Sequence, residues 1–215
     1  MKFSANEQPE HIMIPGPEGA LEAVVERPQS SPDNIVAIIC HPHPLHEGTM
    51  NNKVVTTLVR TCQALGAIAV RFNFRGVGAS AGVYDQAEGE QEDLKAVMAW
   101  AEKTFVGCRL WLGGFSFGSY VATRVASERS VDQLIAIAPP VHHFDFQTIP
   151  PIQCPWLVVQ GEADEVVPAE EVFTWVASRP ESPQLIRMPG VGHFFHGKLI
   201  ELREAIVKAI NERSI

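Results

Sequence analysis

The most constraining stretch of this sequence is Ile35-Val36-Ala37-Ile38-Ile39-Cys40, an apolar run with no polar alternation. A strand with one wet face alternates apolar and polar residues, so a run without alternation is covered on both faces, as in a parallel sheet between helix layers. Over residues 52–65, Val54, Val55, Leu58, Val59, Cys62 and Leu65 recur at helical spacing and Gly66 closes the stripe. A second buried strand is expected over 67–72. The alternation then continues: helix 88–105 with Leu94, Val97, Met98, Ala101 and Phe105 on one face, strand 108–112, helix 120–126, strands 134–138 and 155–160, helix 169–178, strand 184–188, and helix 198–212 with Leu199, Leu202, Ile206 and Ile210. A hairpin of strands 11–14 and 21–27 around Pro15-Gly16-Pro17-Glu18-Gly19 precedes all this, followed by a loop over 29–34. The pattern predicts an α/β fold with a mostly parallel central sheet of about seven to eight strands and helices on both faces. In such sheets sites form beyond the carboxyl ends of the strands. The carboxylates opening helix 88–105, Glu88, Glu90, Glu92 and Asp93, read as solvated residues at the positive end of the helix dipole.

The length, 215 residues with no repeat, low-complexity tract or linker, fits one domain over 1–215. The formal net charge of −8 and the lack of any basic run argue against nucleic acid as partner. Residues 1–10 lack the apolar core of a signal peptide, and no apolar run is long enough to span a membrane. Cys40, Cys62, Cys108 and Cys154 lie in apolar segments without C-x-x-C spacing, as free thiols of a reducing compartment would. The expectation is therefore a cytoplasmic protein, monomeric or homodimeric, with a small-molecule partner.

One segment between a strand and a helix carries chemistry. Gly114-Phe115-Ser116-Phe117-Gly118 fits G-x-S-x-G and sits where a sharp strand-to-helix turn would lift the Ser116 hydroxyl above the sheet edge. An alcohol is a weak nucleophile at neutral pH and needs an adjacent base. His193, in Gly190-Val191-Gly192-His193-Phe194-Phe195-His196-Gly197 between the last strand and the last helix, is the preferred base over His196, because the base must reach Ser116 directly. Gly161-Glu162-Ala163-Asp164-Glu165 follows the strand ending at Gln160 and supplies Asp164 as the orienting carboxylate, with Glu162 and Glu165 as alternatives. Serine, acid and histidine thus follow three different strands in the order Ser116, Asp164, His193.

With these residues, and with His41-Pro42-His43-Pro44 and Asn73-Phe74-Arg75-Gly76-Val77-Gly78-Ala79-Ser80, the chain resembles the α/β-hydrolase superfamily over nearly its whole length. More narrowly it is similar to the small, lidless bacterial serine hydrolases related to the dienelactone hydrolase group. Dienelactone hydrolase itself uses a cysteine where this chain has Ser116, so that activity is not implied. The resemblance implies an α/β-hydrolase fold without a cap domain and a hydrolase of the carboxylesterase type, with no cofactor. It also implies an oxyanion hole from two backbone N–H groups, that of Phe117 and, by position, that of His43, since Pro42 and Pro44 have none to give.

His41, Arg75, Phe144 and Phe194 are expected to contact substrate. Arg75 could equally tie loops together. The spacing of His41, His43 and His46, with His142-His143 in reserve, raises a rival reading as a metal site. No acidic residue falls at the usual metallohydrolase spacing and prolines fix the loop for another purpose, so no metal is expected. The interval from Pro139 to Cys154, rich in proline, is too short for a helical cap. The expected activity is cleavage of small or short-chain carboxylic esters or thioesters through an acyl-enzyme. Peptidase or amidase action, and a non-catalytic binding member of the fold, are the alternatives.

Overall fold

The computed structural model of the protein describes residues 8–29 and 34–213. Residues 1–7, the centre of the expected 29–34 loop (30–33) and residues 214–215 lie outside the described residues. Among the described residues, eight strands form one sheet: β1 (Glu10–Gly16), β2 (Gly19–Glu26), β3 (Ile35–Cys40), β4 (Ile68–Phe72), β5 (Arg109–Phe115), β6 (Gln133–Ile137), β7 (Trp156–Gly161) and β8 (Gln184–Met188), in the spatial order β1-β2-β4-β3-β5-β6-β7-β8. The first two pairings, β1 with β2 and β2 with β4, are antiparallel, and every pairing from β4 to β8 is parallel.

Alternate residues of β3 point into opposite cores, and all six are buried. Val36, Ile38 and Cys40 join a core with α2 (Glu88–Thr104), α3 (Phe117–Glu128) and α4 (Ala169–Ser178). Ile35, Ala37 and Ile39 join another with α1 (Lys53–Ala64) and α5 (Leu199–Arg213). This is the layered architecture that the alternation predicts, a mostly parallel sheet with helices on both faces. Strand order reverses at β3, whose neighbours are β4 and β5, and an open parallel sheet has its crevice at such a switch point.

β5 runs further than expected, through Gly113, Gly114 and Phe115, and α3 starts at Phe117 instead of residue 120. Glycine is a poor strand former in isolation, but here both flanks supply partners: Gly113 and Gly114 lie between Ile39–Cys40 of β3 and Ile135–Ala136 of β6. The carboxylates at the start of α2 also depart from expectation. Glu88 and Glu92 are exposed, but Glu90 and Asp93 are buried on the inward face. The Glu90 carboxylate accepts the N–H groups of Asp85 and Ala87, while Asp93 faces the guanidinium of Arg75.

Segment 138–155, between β6 and β7, contains neither helix nor strand, so no cap domain interrupts the sheet there. Its first half borders the elbow through Phe144, which stacks on Tyr120 of α3 at 4.7 Å. Its second half is a strap tied to the end of α4. Arg179 donates from Nη1 to Ile149 O (2.9 Å) and from Nη2 to Pro150 O (3.0 Å), and Glu181 both pairs with Arg179 (2.7 Å) and accepts Ile152 N–H (3.2 Å). Phe146, Ile149 and Ile152 are buried beneath these bonds. Among the described residues, no helix is long and apolar enough to cross a membrane. Cys40 and Cys62 are buried free thiols; Cys108 and Cys154 are half-buried and also free.

The loop after β3 is fastened from inside by His41, which is 0% exposed. Phe74 N–H, in the loop after β4, donates to His41 Nε2 at 3.0 Å. The other ring nitrogen must then carry the proton, and Nδ1–H donates to Pro42 O at 2.6 Å. Burial pushes this imidazole down to about 4, an effect opposed by the Pro42 hydrogen bond and reinforced by His43.

Two outcomes follow from this packing. Replacing Arg179 with alanine leaves the strap's carbonyls and Glu181 without their partner, and is expected to cost about 2–4 kcal/mol in urea unfolding and to open 145–155 to limited proteolysis. His41 makes the fold acid-sensitive. Between the ordinary histidine pKa of about 6.5 and its folded value of about 4, the unfolded chain binds a proton that the folded chain refuses. Stability from this group is therefore complete above pH ~6.5 and declines as the pH falls toward ~4, by up to about 3 kcal/mol. Urea unfolding of wild type and His41→Gln at pH 7.5 and 4.5 should show a smaller loss on acidification in the variant.

Candidate active site

The elbow places Ser116 in a backbone conformation that non-glycine residues avoid, φ 52° and ψ −121°. Bonds on both sides hold it there. Ser116 N–H donates to Ile137 O at the end of β6 (2.8 Å), and Ser116 C=O accepts Ser119 N–H (2.8 Å) and Ser119 Oγ–H (2.6 Å). The glycines flanking the elbow are there for close approach. A Cβ on Gly114 would run into Gly118 O, and one on Gly118 would run into the carbonyl oxygens of Cys40 and His41. The first turn of α3 therefore rests directly on the end of β3.

Asp164 follows β7 and accepts hydrogen bonds on both carboxylate oxygens. Oδ1 takes Val166 N–H (2.9 Å) and Val167 N–H (2.7 Å); Oδ2 takes Gln160 Nε2–H (3.0 Å) and His193 Nδ1–H (2.9 Å). Burial alone would raise this carboxyl, but the hydrogen bonds from His193, Val167 and Val166 and the nearness of the imidazole outweigh it and hold Asp164 below its usual range. Since the carboxylate can only accept, His193 carries its proton on Nδ1, and Nε2 is left as an acceptor. The His193 ring packs on Phe115, the residue before Ser116, at 5.0 Å.

The alternatives to Asp164 have other work. Glu162 bonds Arg187 at 2.8 Å, and Glu165 accepts the backbone N–H of His193 at 3.1 Å, which fixes the histidine loop. His196 is exposed and lies against Phe194. So the expected acid and histidine are paired, and the histidine ring lies against the residue that precedes Ser116. Phe117 opens α3, where a helix leaves its first N–H groups without intrahelical partners. The His43 ring lies 4.9 Å from the Phe117 ring.

The substrate contacts divide. Phe194 is 42% exposed beside His193, and Phe144 is half-buried against Phe117 at 5.6 Å. Two expectations are corrected. His41 has no exposed atom and both ring nitrogens are engaged, because it fastens two loops together. Arg75 is likewise buried: its Nε and Nη2 bond the Asp93 carboxylate at 2.8–3.2 Å, so its charge is neutralised within the fold. In the β3 loop the rings of His43 and His46 lie edge to face at 4.8 Å. His43 Nδ1 accepts Leu45 N–H and its Nε2 meets Tyr84 Oη. Among the described residues, no group of three or more His, Cys, Asp or Glu could hold a metal ion.

Sequence reasoning missed Gln160 and Tyr84. Gln160 had a signal, as a polar residue ending the apolar run of β7 just before the acid loop. Tyr84, between a loop of small residues and α2, had none.

The chain matches a family described as the alpha/beta hydrolase domain over residues 38–200. An alpha-beta serine hydrolase homologue from Coxiella burnetii is 50% identical, with a TM-score of 0.91 covering 93% of this chain and 96% of that one. A protein of Xanthomonas campestris, described as an α/β serine hydrolase without a lid, is 42% identical, with a TM-score of 0.92 over 96% of this chain and 95% of that one. An uncharacterized protein of Rickettsia prowazekii is 35% identical over 91% of this chain and 86% of its own length. On the extent of these matches, this chain belongs to the α/β-hydrolase family and has the lidless form of its fold.

Proposed function

We propose that the protein is a serine hydrolase that cleaves small or short-chain carboxylic esters or thioesters through an acyl-enzyme. The observation that carries this reading is the Asp164–His193 bond of 2.9 Å beside the strained Ser116 elbow. Ser116 Oγ attacks the acyl carbonyl. His193 Nε2 takes its proton and returns it to the leaving alcohol or thiol; water then repeats the step on the acyl-serine. Asp164 holds the imidazole in the Nδ1–H form and stabilises the imidazolium. Phe117 N–H and His43 N–H bind the oxyanion, a role supported by the packing of Gly118 on the Cys40 and His41 carbonyls. Similarity to proteins described as α/β serine hydrolases agrees with the chemistry.

A fluorophosphonate probe should label Ser116. Ser116→Ala should abolish labelling and lower kcat by about 10⁴ or more with the fold intact, and His193→Ala should be nearly as damaging because the two act as a unit. Asp164→Asn should cost on the order of 10²–10⁴ through the lost tautomer control. Labelling that persists in Ser116→Ala removes it as nucleophile.

With no cap over the mouth and Phe194 half in water, a long acyl chain finds little to bury against. Full burial would raise kcat/KM about fourfold per methylene. Across p-nitrophenyl esters from acetate to palmitate, kcat/KM should instead level off near butyrate. A steady climb to palmitate contradicts the open site.

A further inference from the structure

Tyr84 lies in the loop after β4, and its hydroxyl oxygen is 3.2 Å from His43 Nε2. The direction of that bond is fixed at the other side of the ring. Leu45 N–H donates to His43 Nδ1 at 3.2 Å. Burial, with the charges of His46 and His143, pushes His43 down to about 4. Near neutral pH the ring is therefore uncharged and carries one proton, which must sit on Nε2. His43 Nε2–H donates, and Tyr84 Oη accepts. The phenol's own proton is not used in this bond. Burial and the nearby Glu90 raise the phenol's pKa, so it keeps that proton. Among the described residues no protein group accepts it.

The unused donor stands close to the elbow. The rings of His43 and Tyr84 pack on Phe117, the residue after Ser116, at 4.9 and 6.0 Å, and Phe144 packs on the same ring at 5.6 Å. Tyr84 is half-buried, and its neighbour Val83 is exposed. A polar donor half out of water beside apolar rings is most useful to a ligand that brings an acceptor to it.

We propose that Tyr84 is a specificity-determining residue, whose hydroxyl donates to an acceptor oxygen in the acyl part of the substrate, so that the preferred esters carry a short oxygenated acyl group such as an alkoxy-, hydroxy- or keto-acyl. This rests on the proposed reading of Ser116 as nucleophile and of the His43 N–H as oxyanion donor. The phenol meets the tip of the His43 ring, a side-chain length from the His43 backbone N–H. That separates it from the carbonyl being attacked and sets it along the acyl chain.

Tyr84→Phe tests this with two esters of equal length, p-nitrophenyl butyrate and p-nitrophenyl methoxyacetate, in which an ether oxygen replaces one methylene. Their different intrinsic reactivities cancel when the ratio of their kcat/KM values is compared between wild type and variant. The variant should lower the methoxyacetate-to-butyrate ratio by about fivefold to tenfold, while fluorophosphonate labelling of Ser116 stays unchanged. A ratio equal in the two proteins overturns the proposal, and so does an equal loss on both esters, which would put the phenol at the carbonyl oxygen. A wild-type protein that labels normally separates either result from failure of the hydrolase reading. One that neither labels nor cleaves either ester overturns both.

Discussion

The strained backbone of Ser116 is the constraint on which the rest of the mouth depends. A residue at φ 52°, ψ −121° costs about 1–3 kcal/mol and persists only if its surroundings leave no alternative. Here the surroundings are the end of β6, which takes the Ser116 N–H, and the first turn of α3, which returns three donors to the Ser116 carbonyl, the Ser119 N–H and hydroxyl and the Tyr120 N–H. Those bonds exist because β5 continues as a ladder strand through two glycines up to Phe115. The sheet therefore sets the angle at which the hydroxyl leaves the backbone, and the remaining loops are built to meet it.

Three histidines in this region show how surroundings divide one side chain among several tasks. His41 is sealed, neutral and fully bonded, so it acts as a fastener between the loops after β3 and β4. His43 is half-buried and kept neutral, with a proton direction imposed by a backbone N–H. His193 alone of the three faces a carboxylate, through Nδ1, which leaves Nε2 as an acceptor. The difference lies in the partner of the second nitrogen in each case, a feature that no count of histidines or spacing between them encodes.

That difference also explains what the sequence could and could not disclose. Ile35–Cys40 is buried on both faces, as its unbroken apolar run requires, and helix 169–178 and strand 184–188 were legible to the residue, because burial is written locally as periodicity. Ser116, Asp164 and His193 stand out in the sequence as candidates because each follows a readable strand. Arg75 and His41 were misplaced because a loop residue's partner comes from elsewhere in the chain: Asp93 from the inward face of α2, Phe74 from the next loop. Asp93 and Glu90 looked like solvated helix starters for the same reason. Tyr84 is held by a bond to a ring that is forty-one residues away in the chain, and nothing in its own neighbourhood marks it.

The bare contact of Gly118 with the Cys40 and His41 carbonyls has a mechanical meaning. Side chains between two elements form a cushion that can change rotamers, and elements separated by such a cushion shift relative to one another as the fold breathes. Here backbone lies on backbone, with no cushion to deform. The helix that begins at Phe117 and the loop that begins at His41 must travel together, as two jaws cut from one block. Thermal motion of the sheet then shifts the mouth as a whole while the spacing between its two sides is kept, a tolerance that a site assembled from independently mounted loops could not hold.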